Sequence, residues 1–261
     1  MPSAEALVLR AVNFSETSRI VTLYTREFGK IEALAKGARQ LKGPFESSLD
    51  ILAQNAVTFI AKSGDVLDLL TESKLIRRFH VQSSNFAGTL GGYYVAELVN
   101  SFTAPGDPMQ RLYDLTVKVL HQLEEGTVVM RTLARFEGRL FQLLGHAPSL
   151  QNCVGCGVLV PRVPNARIVF GTLDGGILCP DCTSGHKQLV ATSAETLDAW
   201  EALVDPFDRS EMWKRFPISP QVSGEIRRLS SLYVCSLLGK KPRLHDWWNT
   251  IAKNDRVPCQ N

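Results

Sequence analysis

Over the first 75 residues the apolar positions fall in short runs: 6–12 (interrupted by Arg10), 19–25, 30–35, 56–61 and 66–70. Turn-forming stretches separate them at Glu27-Phe28-Gly29, across 37–43 and at Ser63-Gly64-Asp65. Five short strands with no long helix among them suit a small closed barrel, and the five-stranded OB barrel is the commonest such solution. An SH3-like barrel or an open meander fits the same periodicity.

From about residue 84 the period lengthens. Phe86, Leu90, Tyr94, Leu98 and Phe102 recur every four residues on one helix face, which Pro105-Gly106-Asp107-Pro108 stops. Leu112, Leu115, Val119, Leu120 and Leu123 mark a second helix. Val129, Leu133, Phe136, Leu140 and Leu143 mark a third, closed by Gly145 and Pro148. Further on, Thr192-Ser193-Ala194-Glu195 reads as a capping box ahead of Leu197, Trp200 and Leu203. Ser219-Pro220 reads as an N-cap with proline in the first turn, opening a helix that ends at Gly239. The expected chain is α+β. An N-terminal OB-fold barrel spans 1–80, and a helical domain comes in two parts, 81–150 and 189–261. A cysteine-bearing insert at 151–188 lies between those parts.

Cys153-Val154-Gly155-Cys156 and Cys179-Pro180-Asp181-Cys182 are two CxxC knuckles 22 residues apart. Two residues between cysteines let both thiolates of a knuckle point at one ion, and two knuckles complete a tetrahedral four-sulfur site, which suits Zn2+. The spacing is slightly longer than in common zinc ribbons. A strand over 166–170, a turn over 171–176 and a return at Ile177-Leu178 fill the extra length, so a hairpin is expected. Four cysteines leave no coordination position open to water, so one structural zinc ion is expected. An iron–sulfur cluster or a redox pair are the alternatives, though a redox CxxC belongs in a βαβ unit that the pattern lacks. Cys235 and Cys259 read as bystanders. His186 reads as a surface residue placed where it could substitute as a ligand.

Net charge is only +3 over 261 residues, so the placement of charge tells more than its sum. Within 17–44, Arg19, Arg26, Lys30, Lys36, Arg39 and Lys42 face only Glu27 and Glu32, a local net of +4. Tyr24 and Phe28 are interleaved with them. A basic groove with aromatic platforms is how OB barrels hold single strands, so these six are candidate DNA contacts. A solvated barrel surface would carry the same charges. A second run over 210–256 has a net of +5 and contains Lys240, Lys241 and Arg243 just past a helix end. These three are read as further phosphate contacts, although cations there also answer the helix dipole. Trp247-Trp248 is expected to anchor this tail in the core.

No nucleotide-binding glycine loop, GxSxG elbow or HExxH pair occurs, and the five histidines do not cluster with a nucleophile. No catalytic residue is assigned and an enzyme is not expected. No stretch approaches the roughly 20 apolar residues needed to cross a bilayer. The opening residues lack a secretory signal, so a cytoplasmic protein with reduced thiols and no membrane partner is expected.

Several stretches carry a family resemblance. Leu7-Val8-Leu9-Arg10, the run from Asn13 to Thr25, Glu27-Phe28-Gly29-Lys30 and Leu34-Ala35-Lys36-Gly37-Ala38-Arg39 come first. Leu143-Leu144-Gly145-His146-Ala147-Pro148 then leads into Cys153, and Gly175-Gly176-Ile177-Leu178 leads into the second knuckle. Together, and in this order, they resemble the RecO family of bacterial DNA repair and recombination mediators. The resemblance implies an N-terminal OB fold, a helical domain and a zinc insert. It implies binding to single- and double-stranded DNA and strand annealing in the RecF pathway, at the nucleoid. It also implies partnership with RecR and the SSB C-terminal tail, with functional links to RecA and RecF. Gly43 stands where the family usually has serine. Some members lack the cysteines, which implies that zinc stabilises and performs no chemistry. The competing expectation is a zinc-ribbon adaptor between proteins that does not bind DNA directly.

Overall fold

Strands β1 (Ser3–Asn13), β2 (Arg19–Thr25), β3 (Gly29–Ala35), β4 (Gln54–Ile60) and β5 (Asp68–Arg77) close into a barrel of order β1-β2-β3-β5-β4 in a computed structural model of the chain. The structure describes residues 1–40, 45, 48–62, 64, 66–164, 166–205, 212–215 and 217–247. Lys42, Gly43, Ser63, Asp65, Trp248 and Cys259, singled out above, lie outside the described residues. The α+β class and the closed five-stranded barrel are as the sequence pattern indicates.

Alternation builds the barrel wall. Val21 and Leu23 of β2, Ile31, Ala33 and Ala35 of β3, Val57 and Phe59 of β4 and Leu70 of β5 point into one buried cluster. Small alanines on the inner face let the walls approach, as an interior packed like a crystal requires. β1 serves two partners. Its first half pairs with β4 (Ser3 with Thr58) and its second half with β2 (Asn13 with Arg19), both antiparallel. The register slips between Val8 and Arg10, a bulge that bends the strand from one neighbour to the other. β5 runs past the expected 66–70 into a polar stretch, because Glu72 and Lys74 face solvent there.

Compactness divides the chain into Met1–Gly126 and Thr127–Asn261. The division falls inside the helical stretch expected over 81–150, since helices α1 (Phe86–Phe102) and α2 (Gln110–Glu124) are fixed to the barrel by specific bonds. Lys30 Nζ donates to the Asn100 carbonyl in the last turn of α1 (2.7 Å). Arg26 grips Asp114 of α2 with two bonds (2.9 and 3.2 Å), and Arg77 pairs with Glu124 (2.5 Å). Gly29, at φ 69°, lets the chain turn beneath the loop before α2; a Cβ there would lie 2.3 Å from the Asp107 carbonyl oxygen.

The second unit holds α3 (Val129–Leu143), α4 (Ala194–Val204), α5 (Pro220–Leu238) and a three-stranded sheet of β6 (Arg167–Gly171), β7 (Gly176–Leu178) and β8 (Leu189–Ser193) in the order β7-β6-β8. The expected hairpin is β6–β7. The third strand, β8, occupies the start of the stretch assigned to helix from 189. Its residues Val190 and Thr192 turn inward, and it pairs with β6 from Arg167–Ser193 to Gly171–Leu189. The insert is therefore part of the core: Phe170 meets Trp200 and Tyr233, with ring centroids 6.1 and 5.9 Å apart. The N-cap of α4 is Ser193, one residue later than the box expected at Thr192. Thr192 instead gives its hydroxyl to Glu225 of α5 (3.1 Å). Ser219 and Gly239 cap α5 as expected.

Candidate metal centre and nucleic-acid interface

Cys153 and Cys156 bracket the turn after residue 150. Cys179 and Cys182 lie where β7 runs into a 3-10 turn (Pro180–Cys182). The four sulfurs all lie within 4.8 Å of one another, and Cys156 Sγ is 3.8 Å from Cys179 Sγ. Sulfurs placed tetrahedrally about 2.3 Å from a central ion are separated by about 3.8 Å, so the cluster is of a size to hold a metal ion. The backbone is shaped to the same end. Cys179 N–H points at Cys153 Sγ (3.3 Å), and Gly157, at φ 76°, returns its N–H to the Cys153 carbonyl (2.8 Å). A side chain on Gly155 would come within 3.1 Å of Cys182 Sγ.

The thiols are electrostatically divided. The N–H of Cys179, joined by those of Cys156 and Gly155, brings the Cys153 thiol down to about 6. Hydrogen bonding with neighbouring sulfurs, Cys179 first, pushes Cys182 up to about 12. Four sulfurs this close ionise together only when a cation offsets their charge, which is the behaviour of a ligand set. His186 is bound to Asp174 (2.8 Å) and is outside the cluster. Cys235 lies partly buried on α5, apart from it.

The barrel's outer face follows from its ladders. Residues paired across strands share a face. Val12 pairs with Ile20, Ile20 with Leu34, Leu34 with Leu69, and Leu69 with Ile60, a row of outward apolar positions crossing all five strands. OB barrels hold oligonucleotides on the face of the second and third strands, between the loops after the first and fourth. Half of that face is closed here. Tyr24 is fully buried, donates to the Met109 carbonyl (3.4 Å) and has its hydroxyl pushed to higher pKa by burial and by Asp107. Lys30, also outward, is tied to α1 and lowered by burial. Arg26, raised by its bond to Asp114, is tied to α2. Tyr24 is thus no stacking platform, and Lys30 and Arg26 hold helices. Phe28 is 38% exposed but edges onto Phe59 (5.5 Å).

The other half is open. Lys36, just beyond β3, is exposed and has no partner among the described residues. Arg39 is exposed, with one nitrogen on the Ser15 carbonyl (2.7 Å) and the rest of its fork turned to solvent. Arg19 is half-buried and bonds Asn13 (3.3 Å). Beside them stands Phe14, 62% exposed in the β1–β2 turn, which the sequence pattern alone did not single out. Its parity was the available signal: Arg10, Val12 and Phe14 alternate with Ala11, which packs on the core.

In the second unit Lys240, Lys241 and Arg243 are all exposed just past α5. Lys241 forms an ion pair with Asp246, and His245 bonds Ser231 of α5, which fastens this turn to the helix. Trp247 is 47% exposed and does not enter the core.

The model described as recombination protein O N-terminal matches residues 1–79, and the one described as recombination protein O C-terminal matches 83–245. The chain belongs to the RecO family. A DNA repair protein RecO of Rhodopirellula baltica is 38% identical, covering 92% of this chain and 96% of the relative. One of Syntrophus aciditrophicus is 32% identical over 91% of each. The second RecO match begins at 83 and so takes in α1 and α2, which pack with the barrel.

Proposed function

We propose that this chain is a recombination mediator that binds single- and double-stranded DNA, anneals strands and catalyses no reaction of its own. With RecR, and through the SSB tail, it would help load RecA onto SSB-coated strands in the RecF pathway, in the cytoplasm at the nucleoid. The observation that carries this reading is the open half of the barrel face, where Lys36 and Arg39 stand exposed beside an apolar row in a chain of a DNA repair family. Lys36, Arg39 and Arg19 are its proposed phosphate contacts, with Lys240, Lys241 and Arg243 as a second set. One zinc ion held by Cys153, Cys156, Cys179 and Cys182 would cross-link the two knuckles; with four protein sulfurs around it, its role would be structural.

Fluorescence anisotropy of a single-stranded oligonucleotide across a salt series tests the reading. A linear fall of log affinity with log salt is expected. Replacing Lys36 and Arg39 by alanine should lower both affinity and slope, the slope by about 1 for each phosphate no longer neutralised. Absence of binding at low salt would replace it with a protein–protein adaptor.

A further inference from the structure

Phe14 is an aromatic ring presented to solvent by a turn held by its own hydrogen bonds. Phe14 N–H and Ser15 N–H both donate to the Ser18 carbonyl (3.0 and 3.3 Å), and Ser18 N–H donates to Ser15 Oγ (3.1 Å). Arg39 braces the turn from the other side, its guanidinium on the Ser15 carbonyl and its N–H on the Thr17 carbonyl (3.0 Å). The ring is therefore held on a rigid support, one residue from a guanidinium. Lys36 follows Ala35, the ladder partner of Arg19, and so lies at the same end of the barrel. Val12, two residues before Phe14, continues the apolar surface toward Ile20 and Leu34.

We propose that Phe14 is a stacking platform for one unpaired base of single-stranded DNA, with Lys36 and Arg39 taking the neighbouring phosphates. The inference rests on the DNA-binding reading above and adds strand selectivity to it. A flat aromatic face accepts any base, whereas the bases of a duplex are already stacked on one another. Exposed Glu16, at the tip of the same turn, keeps the site from being uniformly cationic, so stacking supplies what charge does not.

The test compares the full parent chain with Phe14→Ala, Phe14→Tyr and the Lys36→Ala/Arg39→Ala pair, by anisotropy on oligothymidylate and on a duplex of equal length. Because Phe14 is exposed, both Phe14 variants should unfold at the parent's temperature. Phe14→Ala should weaken oligothymidylate binding about ten-fold, leave duplex binding and the salt slope unchanged, and be rescued by Phe14→Tyr. Equal losses on both DNAs would overturn the stacking role. So would unchanged oligothymidylate binding by Phe14→Ala while the Lys36/Arg39 pair weakens it, which would leave the DNA-binding reading intact. If neither variant changes binding, the barrel face is not the DNA site and the stacking proposal falls, which leaves Lys240, Lys241 and Arg243 as the proposed contacts.

Discussion

Glu225 accepts hydrogen bonds from Arg167 (3.0 Å), Thr192 (3.1 Å), Thr196 (2.9 Å) and the N–H of Ser193 (3.2 Å), joining α5 to β6, β8 and the start of α4. Burial works against its charge, but these donors outweigh burial and hold the carboxyl down at about 2, against an ordinary 4.5. A depressed carboxyl stabilises the fold above its unfolded value and loses that contribution as pH falls, here between about 4.5 and 2. Glu225→Gln should cost about 2 kcal/mol at neutral pH, and its melting temperature should fall less between pH 6 and 3 than that of the parent. Two lysines of the barrel divide by what they touch. Lys30→Ala should cost about 1 kcal/mol of stability by freeing the end of α1 and leave the salt slope of DNA binding alone. Lys36→Ala should do the reverse, which parallel melting and anisotropy measurements would separate. Nothing in the sequence distinguishes these two lysines. Both fall on outward positions, and only the packing of α1 across one half of the barrel makes one a strap and leaves the other exposed.

At the level of elements, α3 and α4 meet at Gly138, where an added Cβ would lie 2.0 Å from Val204 Cγ1. Alanine for glycine in a helix interior ordinarily gains about 1 kcal/mol. Here Gly138→Ala should destabilise, and Val204→Ala should recover part of the loss in the double variant, as chemical denaturation would show. The barrel strands and five long helices were legible because each keeps one clear period, and the knuckles because their spacing is chemical. β8 was not legible, because its five residues run directly into a helix whose cap signal overlapped the strand. The same overlap displaced the cap from Thr192 to Ser193. The polar half of β5 was hidden because its outer positions carry charges and only Leu70, Ser73 and Leu75 turn inward. Tyr24 was misleading for a related reason, since alternation tells which way a side chain points but not whether a helix covers it.

Across the whole molecule, the four clustered cysteines adjoin a sheet that helps form the core of the second unit. Loss of the proposed zinc ion should therefore act locally. A chelator, or the Cys153→Ser/Cys179→Ser variant, should raise hydrogen exchange through 153–182 and lower the stability of Thr127–Asn261, while protection within Met1–Gly126 persists. Phe170 and Ile177, fully buried in the second unit, should keep it from unfolding outright.

The double duty of β1 also has a consequence in time. On a chain made from its first residue onward, β1 and β2 pair early, but Ser3 cannot meet Thr58 until β4 has been made, and β5 must follow to join β3. Pairings so distant in sequence form slowly. Until they do, the first half of β1 is a bare apolar edge able to pair with any strand it meets. The stage most exposed to aggregation is thus the half-made barrel, before synthesis has passed residue 77.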